Sequence, residues 1–211
     1  MTISHLRREY LGEPLLEETA GHDPFALFDR WFTDARSVER DPTAMALATA
    51  TSDGNPSIRT VLLKGYAADG LVFFTNYNSR KAQDIAANPR VALMFYWAGH
   101  ERQVRVEGVA ERVPAAESDA YFASRPLESR LSVYASRQSE TIESRASLDA
   151  KYEAAAQRFA DGQVPRPEWW GGYRVEPSAF EFWQGRIGRM HDRLRYTRNA
   201  DGSWLRVRLA P

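Results

Sequence analysis

The sequence predicts a mainly β fold, an antiparallel sheet or barrel with helices around it. Three observations carry that prediction. Apolar runs of strand length follow one another between 44 and 113, separated by turn signals such as Asp53-Gly54-Asn55 and Asp69-Gly70. Amphipathic helical patterning precedes them at 24–40. It also interrupts them at 114–161, before β patterning resumes at 179. Strands joined by such short turns pair antiparallel, because a parallel connection needs a longer crossover.

Residues 1–22 are polar and are expected to form a mobile N-terminal segment; 23–211 are expected to form a single domain. In 24–40, Phe25, Phe28, Trp31 and Phe32 recur at helical spacing behind Pro24, which suits a first helical turn. The runs at 44–51, 57–66 and 71–76 read as strands. The segment 79–88 reads as a helix stopped by Pro89. Two more strands follow at 91–97 and 102–113, the latter alternating cleanly. Helices are expected at 114–124, limited by Pro126, at 127–135 and at 141–161. Strands at 179–185, 194–198 and 204–209 close the chain.

Composition excludes several function classes. The chain of 211 residues has 28 basic and 28 acidic residues, so a generic nucleic-acid binder is disfavoured and any basic site is local. Cysteine is absent, which removes disulfides, Cys-ligated zinc and thiol catalysis. The first ten residues lack the apolar core of a secretory signal, and no apolar run approaches a membrane span. A cytoplasmic protein with neither nucleic acid nor membrane as partner is expected. No HExxH, Walker A or GxSxG pattern occurs, so no metal site is expected, nor nucleotide or Ser-triad hydrolysis.

The chemistry-bearing residues cluster in a few places. WQGRIGRMHDR (183–193) gathers three Arg, a His, a Trp and two Gly, which suits an anionic, planar ligand or, more plainly, a solvated basic turn. Arg80 and Lys81 follow Ser79, a plausible N-cap. Cations in a first helical turn oppose the helix dipole unless an anion occupies that terminus; otherwise they are two solvated side chains. Arg59 and Lys64 lie in one apolar strand, yet in a flat strand they face opposite sides. Gln103 opens a strand face shared with Arg105 and Glu107. Tyr121 and Arg125 share a helical face, with Ser129 beyond Pro126, and together they would suit a phosphate. Gln138-Ser139 reads by default as a cap for the helix that follows.

Taken together, RTVLLK (59–64), FTNYNSRKA (74–82), RQVRVEG (102–108), YFASRP (121–126), RQS (137–139), WWGGYRV (169–175), EFWQG (181–185), RMHDR (189–193) and RLAP (208–211) resemble the pyridoxine (pyridoxamine) 5′-phosphate oxidase family. The resemblance implies an FMN-binding split β-barrel of antiparallel Greek-key type, dimeric, with FMN at the subunit interface. It implies oxidation of pyridoxamine 5′-phosphate and pyridoxine 5′-phosphate to pyridoxal 5′-phosphate, with dioxygen as acceptor and hydrogen peroxide as product.

Carried onto matching positions, FMN would meet Arg59, Thr60, Val61, Leu62, Leu63, Phe74, Thr75, Arg80, Lys81, Gln103, Gln138, Ser139, Trp183 and Arg193. The substrate phosphate would meet Lys64, Tyr121, Arg125 and Ser129. Arg189 and His191 would contact the substrate ring and act at the reacting centre. Arg7 and Tyr10 belong to a segment similar to the family's substrate-covering one. Phe74 and Met190 depart from the family's usual Tyr and Leu. Two other readings remain: a related flavin oxidase of phenazine type, and a non-enzymatic flavin- or pyridoxal-phosphate-binding protein.

Overall fold

The computed structural model describes residues 2, 5 and 9–211. Helix α1 (Glu17–Ala20) is a single turn. Helix α2 (Pro24–Val38) starts at Asp23, whose carboxylate accepts the Phe25 N–H, with Pro24 where a missing N–H costs nothing. Strands β1 (Ala44–Ala50), β2 (Pro56–Leu62), β3 (Gly65–Ala67) and β4 (Gly70–Asn76) lead into helix α3 (Arg80–Ala87). Strands β5 (Arg90–Trp97) and β6 (Arg102–Arg112) follow. Next come helices α4 (Ala115–Ser124), α5 (Leu127–Ala135) and α6 (Arg145–Arg158). Strands β7 (Trp170–Gln184), β8 (Asp192–Arg198) and β9 (Trp204–Leu209) complete the described elements.

All pairings are antiparallel, in the order β2-β1-β5-β6-β7-β4-β3, with β8 on β7 and β9 on β8. The expected split barrel is corrected here. The sheet is not closed, and with six α-helices among the described residues the fold is mixed α/β rather than mainly β. The reason lies in β7. One of its edges pairs with β6. Its other edge is divided: residues 170–175 take β4, and residues 179–184 take β8. The sheet forks there into two wings, and the outer strands β2, β3 and β9 share no ladder. Pro177, which has no N–H to donate, and a register shift at Glu107/Gly108 mark the fork.

Strand β7 begins well before the expected 179. Gly171, Gly172 and Pro177 weaken the strand signal, yet the glycines are close-approach points: a Cβ on Gly172 would lie 2.7 Å from Val113 and 2.8 Å from the Phe74 ring. The expected strand at 57–66 breaks in two. The Leu63 N–H bonds the Thr43 carbonyl (2.9 Å) and the Lys64 N–H bonds the Val72 carbonyl (2.8 Å), so the chain changes neighbours between them. Helix α6 is shorter than expected because Ser144 caps it, accepting the Ser147 N–H at 3.1 Å.

Two apolar clusters hold the fold together. The larger packs α2 on the sheet through fully buried Phe28, Phe95 and Phe182, each ring contributing roughly 1.5–3 kcal/mol by burial. The smaller joins α4, α5 and α6 through Phe122, Leu131, Ala155 and Trp170. Among the described residues, no helix is long and apolar enough to cross a membrane.

Gly108 sits at the register shift, where an added Cβ would run into the Glu176 carbonyl oxygen. Gly108→Ala is expected to lower unfolding free energy by about 1–3 kcal/mol, read from the urea midpoint at unchanged m-value.

Candidate functional site

Lys81 is 8% exposed, an unusual burial for an ammonium. Its Nζ lies 2.8 Å from Gln138 Oε1, 3.1 Å from Thr75 Oγ1 and 3.3 Å from Ser79 Oγ. All three partners are uncharged. Burial, and secondarily the charge of Arg59, pull its pKa from 10.5 down to about 8. Arg59 donates to Thr49 Oγ1 (2.7 Å), Ser57 Oγ (2.9 Å) and the Leu47 carbonyl (3.2 Å), and stands 3.6 Å from the Asp84 carboxylate. Among the described residues, Asp84 is the one carboxylate ion-paired with either of these two cations, and it faces Arg59. The N-terminus of α3 adds further positive potential.

Ser79 occupies the N-cap position of α3 without capping it; its hydroxyl donates to the Asn76 carbonyl at 2.7 Å. Ser139 Oγ accepts the Arg80 N–H instead (3.2 Å), from a backbone in the left-handed region (φ 77°). Gln138 and Ser139 therefore serve the Lys81 end of α3, while Ser144 caps α6.

A cavity of about 620 Å³ opens beside Lys81. Thr60, Val61, Leu62, Phe74, Thr75 and Gln138 line it, together with Lys64, Tyr121, Arg125 and Ser129. Phe74 stacks on Tyr121 (4.0 Å between centroids) and on Trp170 (5.5 Å), which ties this wall to the smaller core cluster. Arg125 is the C-cap of α4, where Pro126 prevents continuation, and its guanidinium lies 4.7 Å from the Trp170 ring centroid. Its Nη1 is buried without a hydrogen-bond partner, and burial lowers its pKa. The change of strand neighbours between Leu63 and Lys64 lets Lys64 reach this cavity while Arg59 turns toward α3. The Leu63 side chain goes into the main core, and Arg59, Arg80 and Ser139 lie beside the cavity rather than in its lining.

The remaining expected residues gather elsewhere. Gln103 and Trp183 are register partners, as are Trp183 and Arg193. Tyr10 packs edge-on against Trp183 (5.5 Å) and His191 (5.3 Å), and Trp183 lies 4.7 Å from His191. Arg193 is ion-paired to Glu181 at 2.9 Å. Arg189 is exposed on a short 3-10 turn, itself in the left-handed region (φ 62°). None of these residues lines the cavity beside Lys81. Arg7 lies outside the described residues.

Sequence reasoning missed several supporting residues. Asp84 and Thr49 hold Arg59, and Thr49 also donates to Asp84 at 2.6 Å. Glu181, buried between Arg105 and Arg193, carried a visible signal as a lone charge within an apolar run. Glu101 accepts the N–H groups of Leu11 (2.7 Å) and Gly12 (3.0 Å), seating the segment that carries Tyr10. Nothing in the sequence pointed to it.

Comparison with known proteins gives this arrangement a family. Residues 33–159 match the family described as pyridoxamine 5′-phosphate oxidase, and residues 170–211 match the pyridoxine 5′-phosphate oxidase C-terminal dimerisation region. The chain belongs to the pyridoxamine 5′-phosphate oxidase family. A pyridoxine/pyridoxamine 5′-phosphate oxidase of Rubrobacter xylanophilus is 56% identical over 210 residues, 99% of this chain and 96% of that one. One from Burkholderia lata is 54% identical over 213 residues, covering 100% and 99%. The crystal structure of PhzG from Burkholderia lata in complex with tetrahydrophenazine-1-carboxylic acid superposes with TM-score 0.88. It is 31% identical and covers 95% of this chain and 99% of that one.

As a member of this oxidase family the protein is an FMN-dependent oxidoreductase that assembles as a homodimer. Enzyme status sets aside the non-enzymatic carrier. The residues present fit a phosphorylated flavin: a buried ammonium with only neutral hydrogen-bond partners lies in the lining of the cavity. Among the described residues no cluster of His, Asp and Glu could hold a metal ion.

The depressed Lys81 pKa has a stability consequence. The group binds its proton less tightly folded (about 8) than at its ordinary value of 10.5, so between those values the unfolded chain holds more protons. Stability of the flavin-free protein should therefore rise with pH through that window. Lys81→Met removes this contribution. Urea midpoints from pH 7.5 to 10 should converge for the two proteins, with the variant the more stable at the low end.

Proposed function

We propose that the protein oxidises pyridoxamine 5′-phosphate and pyridoxine 5′-phosphate to pyridoxal 5′-phosphate, with dioxygen as acceptor and hydrogen peroxide as product. One observation carries the reading: Lys64, Tyr121, Arg125 and Ser129 line one cavity, with Arg125 Nη1 buried and unpartnered. That set suits a second phosphate, separate from the one that suits Lys81. The names of the relatives that are 52–56% identical over nearly the full chain support it.

In this reading Arg59, Arg80 and Lys81 hold the FMN phosphate, and Thr75, Gln138 and Ser139 add hydrogen bonds. The chain from Thr60 to Leu63 borders the ring, beside Phe74. Gln103, Trp183 and Arg193 of one subunit complete the cavity of the other, which places FMN at the subunit interface. Tyr10 and Arg7 cover the substrate. Residues 23–211 act as one domain, in the cytoplasm.

When bound, FMN would supply the two-electron redox chemistry of the oxidation, for which dioxygen is the final acceptor. The chain supplies placement. Lys64, Arg125, Tyr121 and Ser129 fix the substrate phosphate, each charge-assisted contact being worth roughly 1.5–3 kcal/mol. Arg189, presented by its turn, holds the substrate ring in register with the cofactor. The Phe74–Tyr121–Trp170 stack keeps water from one wall. Phe74 has no hydroxyl, so Phe74 itself contributes surface rather than a hydrogen bond.

A second reading is oxidation of a reduced phenazine carboxylic acid. The ligand bound in the 31% identical PhzG structure favours it, because a carboxylate could occupy the same cationic pocket.

Anaerobic mixing separates the two. Pyridoxamine 5′-phosphate is expected to bleach the bound flavin, whereas tetrahydrophenazine-1-carboxylic acid is not; the reverse outcome would establish the phenazine reading. Arg125→Ala should remain yellow. It should lose about ten- to a hundred-fold in kcat/KM for pyridoxamine 5′-phosphate, and far less for unphosphorylated pyridoxamine.

A further inference from the structure

One contact fixes the chemistry of His191. The main-chain N–H of Arg186 points at His191 Nδ1, 3.0 Å away. A main-chain N–H can only donate, so Nδ1 is the acceptor and holds a lone pair. The neutral ring then carries its proton on Nε2. We infer that His191 is locked as the Nε2–H tautomer and meets the substrate as a hydrogen-bond donor, not as a base.

The turn between the two residues enforces this contact. Ile187–Arg189 form a 3-10 turn in which Gly188 (φ 61°) and Arg189 (φ 62°) are both left-handed, and the Met190 N–H closes it on the Ile187 carbonyl at 3.2 Å. A non-glycine residue held there is strained, so the surrounding structure over-determines the turn. Arg186 is anchored in turn: its guanidinium donates to the Gly12 carbonyl and stands 3.6 Å from the Asp192 carboxylate.

The groups around the ring leave it no other role. Tyr10 and Trp183 pack against it through their rings. Asp192, the next residue, directs its carboxylate to the Leu15 N–H (3.1 Å), to Arg208 (2.6 Å) and to Arg186. Glu181 is engaged by Arg193 and Arg105. The ring's one lone pair in the plane is already used, so His191 has nowhere to accept a proton from the substrate amine or alcohol. It does have an N–H to offer. The substrate it recognises must therefore carry an acceptor at its ring edge, an oxygen or nitrogen such as a hydroxypyridine provides. Placing the substrate there rests on the proposed function; the tautomer does not.

The test uses the FMN-loaded dimer with 15N-labelled histidine. Long-range 1H–15N correlation distinguishes the two neutral tautomers, and His191→Gln identifies the signal by its disappearance. The Nε2–H pattern is expected at pH 8, with and without pyridoxal 5′-phosphate as probe. An Nδ1–H pattern, or a mixture, would overturn the inference.

A second arm compares side chains. Glutamine places an amide N–H near the position of Nε2, and leucine places none. His191→Gln should keep about tenfold more kcat/KM than His191→Leu, about the value of one hydrogen bond, and should keep the shape of the wild-type pH profile. Equal impairment of the two variants, with loss of one limb of the profile, would make His191 a base. If the protein does not turn over pyridoxamine 5′-phosphate at all, the functional reading fails and the resonance pattern alone decides the tautomer.

Discussion

Strand β7 is the constraint on which the rest depends, because it pairs with three neighbours and carries one cluster of candidate site residues at each end. Trp170 closes one wall of the cavity beside Lys81, and Trp183 anchors the cluster of His191, Arg193 and Tyr10. At about 3.3 Å per residue, the stretch between the two tryptophans amounts to roughly 40 Å of strand. No side chain spans that. The divided edge that gives β4 and β8 separate partners on β7 keeps the sheet open and the two clusters apart. In the proposed function the homodimer resolves the separation, since a two-fold axis can set one end of the strand against the other end in the partner.

The second organising fact is charge. Lys81 is buried among neutral oxygens, and Arg59 beside it stands 3.6 Å from Asp84, the one carboxylate ion-paired with either cation among the described residues. Without an anion this arrangement is a cost to the fold, visible in the lowered Lys81 pKa. With a phosphate at the end of α3 the same groups become a binding site. Asp84, Thr49 and Ser57 hold Arg59, so the site is preorganised at the expense of stability.

Much of this was legible in the sequence, for identifiable reasons. Alternation and Asp-Gly turns located β1, β2, β4, β5 and β6, and the aromatic spacing located α2. Arg80 and Lys81 announced themselves as cations in the wrong turn of a helix, and Pro126 marked Arg125 as a helix-tip residue. The first half of β7 was hidden because Gly171 and Gly172 weaken a strand signal precisely where neighbours press closest to the backbone. Barrel closure was misjudged because it depends on which strand takes the second edge of β7, and no local pattern records that. The partnership of Gln138 with Lys81 crosses more than fifty residues and leaves no periodic trace.

The central claim is that the two clusters act together only across the dimer. Mixed dimers test it most directly. Arg125→Ala disables the cavity cluster, and Arg189→Ala disables the turn cluster. Each variant dimer should be impaired at least about tenfold toward pyridoxamine 5′-phosphate. Co-refolding equal amounts should give statistical mixing and one intact site in each heterodimer, about a quarter of wild-type activity. Failure to recover activity, in a sample shown to contain heterodimers, would place both clusters in a single subunit's site and contradict the account.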